Sequence, residues 1–341
     1  MVGYRRQFAQ MKIMDGLSRK LQAIRAERGS PKTLEWYEDN ISLFVRYLSE
    51  QEIDPVLSNL TVENVEAWLV QQGEDGLSSS TLENRVRCLK AFCRFLYDRE
   101  YLKVNQLDRL KKPRVIKEDI DIVEPWEIQK LLNSIGDKKA IDVRDRVLIA
   151  LMYETGLRCG EVANLKLDDL SLEDQFIRVR ATTTKSRKPR VVPLGDRLCR
   201  MLTTYLDFFR DKHDIRNNIP SDYLFRSRTG QKISVNGIEQ MLTKRCDKAG
   251  IKHINPHLLR HSNATISLEG GLPELILQQR LGHSTLQMTG EYTRQVARRE
   301  VKKGAAFSLL DHIEVSETKV RKPRSDRGKK RKVEPRLRVL K

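Results

Sequence analysis

Residues 257–292 read HLLRHSNATISLEGGLPELILQQRLGHSTLQMTGEY, and they decide both the fold and the site of this 341-residue chain. Asn255 is a good helix N-cap, Pro256 suits the first helical position and Gly270-Gly271 supplies a stop, so a helix is predicted over His257 to Glu269. His257 and Arg260 then share one face near its N-terminus. That end carries partial positive charge and free N–H groups, which favour an anion. A second helix is predicted from Pro273 to near Gly282, delivering His283 at its exit, with Tyr292 nine residues further on. Four of the six histidines, His253, His257, His261 and His283, lie in this region. The constellation of His257, Arg260, His283 and Tyr292 reads as a phosphate-handling site. His257 and His261 at i, i+4 also match a zinc pair, but the glutamate of an H-E-x-x-H helix is missing and Arg260 would set a fixed cation beside the metal. No metal is expected.

Upstream, Thr155-Gly156-Leu157-Arg158-Cys159-Gly160-Glu161-Val162 predicts a turn feeding a helix, with Arg158 and Glu161 on one face. An arginine so close to the apolar Leu157, Val162 and Leu165 needs an anionic partner. Next, Phe176-Ile177-Arg178-Val179-Arg180 and Arg190-Val191-Val192-Pro193-Leu194 alternate like strands around the Thr- and Lys-rich segment 181–189. They predict a β-hairpin with Lys185 at its tip.

Taken together, "TGLRCGEVANLKLDDL", "KSRKPRVVPL", "HLLRH" and "LGHSTLQMTGEYTR" resemble the tyrosine recombinases, the family of phage integrases and Xer recombinases, in that family's order and near its spacing. The likeness runs over roughly residues 18–311. It implies that Arg158 and Arg260 take the two arginine positions, Lys185 the hairpin lysine, His257 the histidine of the H-x-x-R box, His283 the His/Trp position and Tyr292 the nucleophile. Glu161 falls on the supporting acidic position. Lys188 competes with Lys185 for the lysine role; alignment back from Arg190 favours Lys185.

The chemistry follows from these residue types. A tyrosine with an ordinary pKa near 10 is a weak nucleophile at neutral pH, so attack on phosphorus needs a proton acceptor and an electrostatic sink. His257 suits the first task. Two arginines can hold the non-bridging oxygens of a pentavalent transition state, a contribution of about 3 to 4 kcal/mol per donor. His283 adds a hydrogen bond, and Lys185 is the expected acid toward the leaving 5′-oxygen. The expected product is a 3′-phosphotyrosyl link with a free 5′-hydroxyl, which resealing reverses without metal or nucleotide. No G-x-x-x-x-G-K-[ST] loop and no carboxylate cluster for two-metal catalysis occurs in the sequence. No cofactor is expected.

A formal net charge of +18 points to a polyanionic partner, which the resemblance implies is double-stranded DNA. Residues 316–341 hold twelve Lys or Arg against three Asp or Glu, so half the excess sits in a tail with little apolar content. That tail is expected to be disordered when free and to touch phosphates nonspecifically. The length implies two domains. In the amino-terminal part, Ser30-Pro31 opens a helix striped with Leu34, Tyr37, Ile41, Phe44 and Leu48. Thr61 opens another, with Leu60 and Val65 as a hydrophobic staple. Ser80 and Glu83 predict a capping box before Leu82, Val86, Leu89, Cys93 and Leu96, while Arg85, Arg87, Lys90 and Arg94 of that helix face either DNA or water. The basic, proline-containing Lys111 to Lys117 reads as a linker.

The expectation is therefore a mainly α protein with a small β-hairpin or sheet in its catalytic domain (α+β), built as a two-domain DNA clamp. Its segments are an extension at 1–14, a helical core-binding (SAM-like) domain at 15–110, a linker at 111–122, a catalytic domain at 123–315 and the tail at 316–341. The short extension argues against an additional arm-type DNA-binding module. Apolar Ala305, Phe307, Leu309, Leu310 and Ile313 follow the tyrosine; by resemblance, Phe307 to Ile313 docks on a neighbouring protomer of a homotetramer assembled on DNA. An accessory protein or partner recombinase could also be required. No secretory signal and no run of about 18 apolar residues is visible, so a cytoplasmic location, nucleoid-associated in a prokaryote, is expected. The five cysteines, without a C-x-x-C pair, fit a reducing compartment. Two other readings share parts of the pattern: a relaxing enzyme resembling type IB topoisomerases, and a catalytically silent DNA-binding protein.

Overall fold

The computed structural model describes residues 10–114, 121–183, 188–210 and 222–302. The chain divides into two compact units, Met1–Glu118 and Asp119–Lys341.

The first unit is a bundle of α1 (Ile13–Ala26), α2 (Pro31–Glu50), α3 (Val62–Glu74) and α4 (Ser79–Asp98). Ser30 caps α2 by accepting the Thr33 N–H at 3.2 Å, and Thr61 caps α3 by accepting the Asn64 N–H at 3.3 Å. Leu60 and Val65 close the predicted staple, both fully buried. The predicted Ser80–Glu83 box does not form. Ser78 caps α4, accepting the Thr81 N–H at 3.3 Å, so Ser80 already lies inside the first turn with its hydroxyl 3.0 Å from that of Ser78. The apolar stripes meet at the centre, where Phe44 tilts against Trp68 with ring centroids 5.3 Å apart. Of the basic residues of α4, Lys90 is structural: its ammonium donates to the carbonyls of Asp108 and Leu110 at 2.9 and 2.8 Å. Arg94 pairs with Asp98, and Arg85 and Arg87 lie over the rings of Trp68 and Trp36.

The second unit contains α5 (Pro125–Asn133), α6 (Ala140–Thr155), α7 (Cys159–Ala163), α8 (Asp196–Tyr205), α9 (Val235–Ala249), α10 (Pro256–Glu269), α11 (Glu274–Leu281) and α12 (Leu286–Lys302). The central α6 buries residues on nearly every side, Val143 through Asp145 and Val147 through Met152, as a helix enclosed by others must. It packs on α8 and α10, while α12 lies on α10 and α11. Strands β1 (Leu170–Ser171), β2 (Phe176–Val179) and β3 (Arg190–Pro193) form an antiparallel sheet in the order β1-β2-β3, with Val179 opposite Arg190. The hairpin is thus joined by a third strand, too short at two residues to leave a periodic trace in the sequence. Lys185, the segment Ala305 to Ile313 and the basic tail lie outside the described residues. Lys188 is described and exposed.

Gly156 ends α6 with φ +64°, and a Cβ there would stand 2.7 Å from both the Asn263 amide oxygen and a Leu281 methyl. Glycine is therefore what lets the chain entering α7 run against α10 and α11. No helix among the described residues is long and apolar enough to cross a membrane.

Candidate active site

Six of the seven residues singled out in the sequence converge within the second unit. Arg158 immediately precedes α7 and Glu161 lies in its first turn, so the Glu161 carboxylate accepts the Arg158 backbone N–H at 2.9 Å and its Nη1 at 3.2 Å. Glu161 also receives a bidentate pair from Arg190 of β3, Nη1 at 3.0 Å and Nη2 at 2.7 Å. Burial pushes this carboxyl pKa up, but the hydrogen bonds and charge of Arg190, seconded by Arg158, outweigh it and hold the group below the ordinary glutamate value. Arg190 is itself fixed by an Nε bond to the Arg280 carbonyl at 2.8 Å.

Arg260, on the first turn of α10, is used differently. It is buried, and its two terminal nitrogens donate to main-chain carbonyls, Nη1 to Gly156 at 2.7 Å and Nη2 to Leu281 at 2.8 Å. No carboxylate among the described residues forms a salt bridge with it. Burial, with Arg158 close by, lowers its pKa to about 10, so the guanidinium still carries its charge at neutral pH.

A file of aromatic rings crosses the floor of the site. His257 meets His261 edge-on at 4.3 Å, His261 meets Tyr292 at 5.2 Å, and His283 lies nearly parallel to Tyr292 at 5.9 Å and 12°. Tyr292, from the second turn of α12, is 6% exposed and packs with Ala264, Leu277 and Leu281. Burial raises its pKa while Arg260 and Arg158 pull it down, the burial effect being the larger, so the resting phenol is protonated. Burial and the same two arginines hold His257 below the ordinary histidine value, neutral and able to accept a proton. Burial and the arginines drop His283 to about 4, and its Nδ1 lies 2.9 Å from the Thr289 hydroxyl.

The structure thus gathers Arg158, Glu161, His257, Arg260, His283 and Tyr292, and leaves Lys185 outside the described residues. Arg190, His261 and Thr289 belong to the same cluster and were not among the seven residues named for the site, His261 having been weighed only as half of a zinc pair. A signal existed for Arg190: an arginine opening a strand that faces the core requires an anion. Nothing local pointed to Thr289, whose partner becomes visible only once α12 is folded. The arrangement brings together a protonated phenol, a neutral imidazole and two cations, groups of the kinds that attack on a phosphodiester requires.

A model described as the phage integrase family matches residues 122–299, and one described as the phage integrase N-terminal SAM-like domain matches residues 19–100. Among curated proteins, the tyrosine recombinase XerC of Oceanobacillus iheyensis is 30% identical over 268 residues, covering 78% of this chain and 87% of its own. The tyrosine recombinase XerD of Staphylococcus aureus is 29% identical over 287 residues, covering 83% of this chain and 94% of its own. Among solved structures, the Tn1549 transposon integrase in complex with a circular intermediate DNA shares the fold at a TM-score of 0.68 and 19% identity, covering 86% of this chain and 99% of that one. The XerH site-specific recombinase bound to a palindromic difH substrate does so at a TM-score of 0.66 and 20% identity, covering 88% and 90%.

Proposed function

The chain belongs to the phage integrase family, and from that premise we propose that it is a tyrosine-type site-specific DNA recombinase, cleaving and rejoining duplex DNA through a 3′-phosphotyrosyl intermediate and a Holliday junction. The observation that carries this reading is a buried phenol, Tyr292, held beside two guanidiniums, of which Arg260 forms no salt bridge among the described residues and donates to main-chain carbonyls, with Glu161 acting on it only at longer range. A scissile phosphate supplies the missing anion.

In this proposal Tyr292 attacks phosphorus as His257 takes up its proton, and the electrons of the breaking P–O bond leave on the 5′-oxygen. Arg158 and Arg260 hold the two non-bridging oxygens, each donor contributing about 3 to 4 kcal/mol toward the transition state. His283 adds a hydrogen bond, and Glu161 with Arg190 fixes the position of Arg158. Lys185, or Lys188 in its place, protonates the leaving oxygen. One phosphodiester is exchanged for another, so the chemistry requires neither a metal nor a nucleotide.

Residues 15–110 would serve as the core-binding domain and 123–315 as the catalytic domain, joined by the linker at 111–122. Four protomers would assemble on two duplexes in the cytoplasm, with Phe307 to Ile313 docked in trans and the basic tail on phosphates. The test is to incubate the full chain, with a metal chelator present, with nicked duplexes bearing candidate sites from DNA flanking its gene. A denaturant-resistant adduct and a Holliday junction from paired duplexes are expected. Binding to a confirmed site with no adduct would overturn the reading, and adduct with supercoil relaxation but no junction would assign the same chemistry to a relaxing enzyme.

The depressed pKa of His257 sets a pH dependence. A base with a lowered pKa stays unprotonated further into acid, so the acid limb of single-turnover cleavage should be centred below pH 6.5. Rates measured from pH 5 to 9 check this, and an acid limb centred above 6.5 would contradict it. His257→Asn should lose that limb.

A further inference from the structure

A neutral imidazole carries a single N–H, and its position decides what the ring can do. His283 is neutral at physiological pH, since burial and the neighbouring Arg260, Arg158 and Arg190 keep its pKa near 4. It can therefore donate a hydrogen bond to a phosphate through Nε2 only if Nδ1 is an acceptor.

The partner of Nδ1 is the Thr289 hydroxyl at 2.9 Å, and the pair is enclosed, His283 being 9% and Thr289 0% exposed. The hydroxyl has no second partner among the described residues, and neither does Nε2. If Thr289 accepted from Nδ1–H, its own buried hydrogen would be left without an acceptor, its desolvation uncompensated. If it donates to Nδ1, the hydroxyl and Nδ1 are both satisfied and the ring proton resides on Nε2, which is not among the buried polar atoms left without a partner.

Resting on the active-site reading above, we infer that Thr289 is a positioning residue that fixes His283 as its Nε2–H tautomer and thereby keeps the ring a hydrogen-bond donor toward the scissile phosphate. Thr289 lies one turn ahead of Tyr292 on α12 (Leu286–Lys302). The hydroxyl that sets the tautomer thus shares a helix with the nucleophile, so undocking α12 would withdraw the attacking group and release the tautomer of His283 together.

The tautomer can be read directly, without any substrate. The full chain, labelled with ¹⁵N-histidine, is examined by long-range ¹H–¹⁵N spectra, with His283 assigned by its absence in His283→Phe. The parent should show Nε2–H at His283, Thr289→Val should show Nδ1–H or a mixture, and Thr289→Ser should restore the parent pattern. On a nicked duplex carrying a confirmed site, Thr289→Val should cleave roughly 10 to 100 times more slowly at unchanged DNA affinity. Thr289→Ser should stay within about threefold of the parent, and Thr289→Val should add nothing to His283→Phe. An Nδ1–H tautomer in the parent, or parental cleavage by Thr289→Val, overturns the inference. Should the parent cleave no confirmed site, the recombinase reading fails while the spectrum of the parent still decides the role of Thr289.

Discussion

Tyr292→Phe is expected to bind its DNA site as the parent does and to form no covalent adduct. On the proposed mechanism the substitution removes the attacking oxygen, and cleavage should fall by about 10⁵-fold or more, the scale seen when an enzyme loses its nucleophile. Folding should be barely touched. The ring is seated among Ala264, Leu277 and Leu281 and between His261 and His283, all of which a phenylalanine still meets. Because burial keeps the resting phenol protonated, the substitution removes no charge from the folded protein. Denaturing gels after incubation with a nicked duplex measure the adduct, and equilibrium binding measures the affinity. An adduct that survives in Tyr292→Phe would transfer the nucleophile to another residue.

Glu161→Ala acts on the other half of the site. The carboxylate accepts three side-chain hydrogen bonds from Arg158 and Arg190 and one from the Arg158 main chain, and its side chain is 1% exposed. Deleting it strands the two guanidiniums, one of them buried, beside the already cationic Arg260. Breaking one partner out of such a buried pair costs about 3 to 5 kcal/mol. For a domain of this size that corresponds to a fall in Tm on the order of 10 °C. The contribution depends on pH in a defined direction. The folded-state pKa of Glu161 lies below its unfolded value of about 4.3, so its stabilisation is complete above that pH and is lost as the pH falls through the folded value. Thermal melts from pH 7 to pH 3 should show parent and variant far apart at neutrality and converging in acid. A constant gap would mean that the loss is one of packing and not of charge.

The parts of this molecule that were legible in its sequence are those specified locally. Asn255, Pro256 and Gly270-Gly271 bracket α10, Ser30 and Thr61 open α2 and α3, and the alternation of residues 176–180 and 190–194 marks the hairpin. Each depends on neighbours within a turn or a strand. Where two local solutions compete, the local view is ambiguous: Ser78 and Ser80 are both competent caps, and the start of the first turn at Ser79 selects Ser78. What local patterns do not encode is who meets whom across the fold. Arg190 opens a strand, and its pairing with Glu161 spans 29 residues. Thr289 is an ordinary helical threonine until α12 brings it to His283. His261 matched half of a zinc pattern, whereas in the fold it is the ring between His257 and Tyr292. The six residues singled out for the site could be named because their types demand partners, but the second layer that holds them had no such demand written beside it.

The contrast between Arg190 and Arg260 has a thermodynamic reach beyond catalysis. Arg190 ends on a carboxylate, that of Glu161, which it shares with Arg158. Arg260 ends on two carbonyl dipoles, which satisfy its hydrogen bonds without cancelling its charge. An anion placed against Arg260 therefore meets a guanidinium whose hydrogen bonds are made but whose charge is held by no salt bridge among the described residues. By linkage, whatever anion occupies that position stabilises the catalytic unit as it binds.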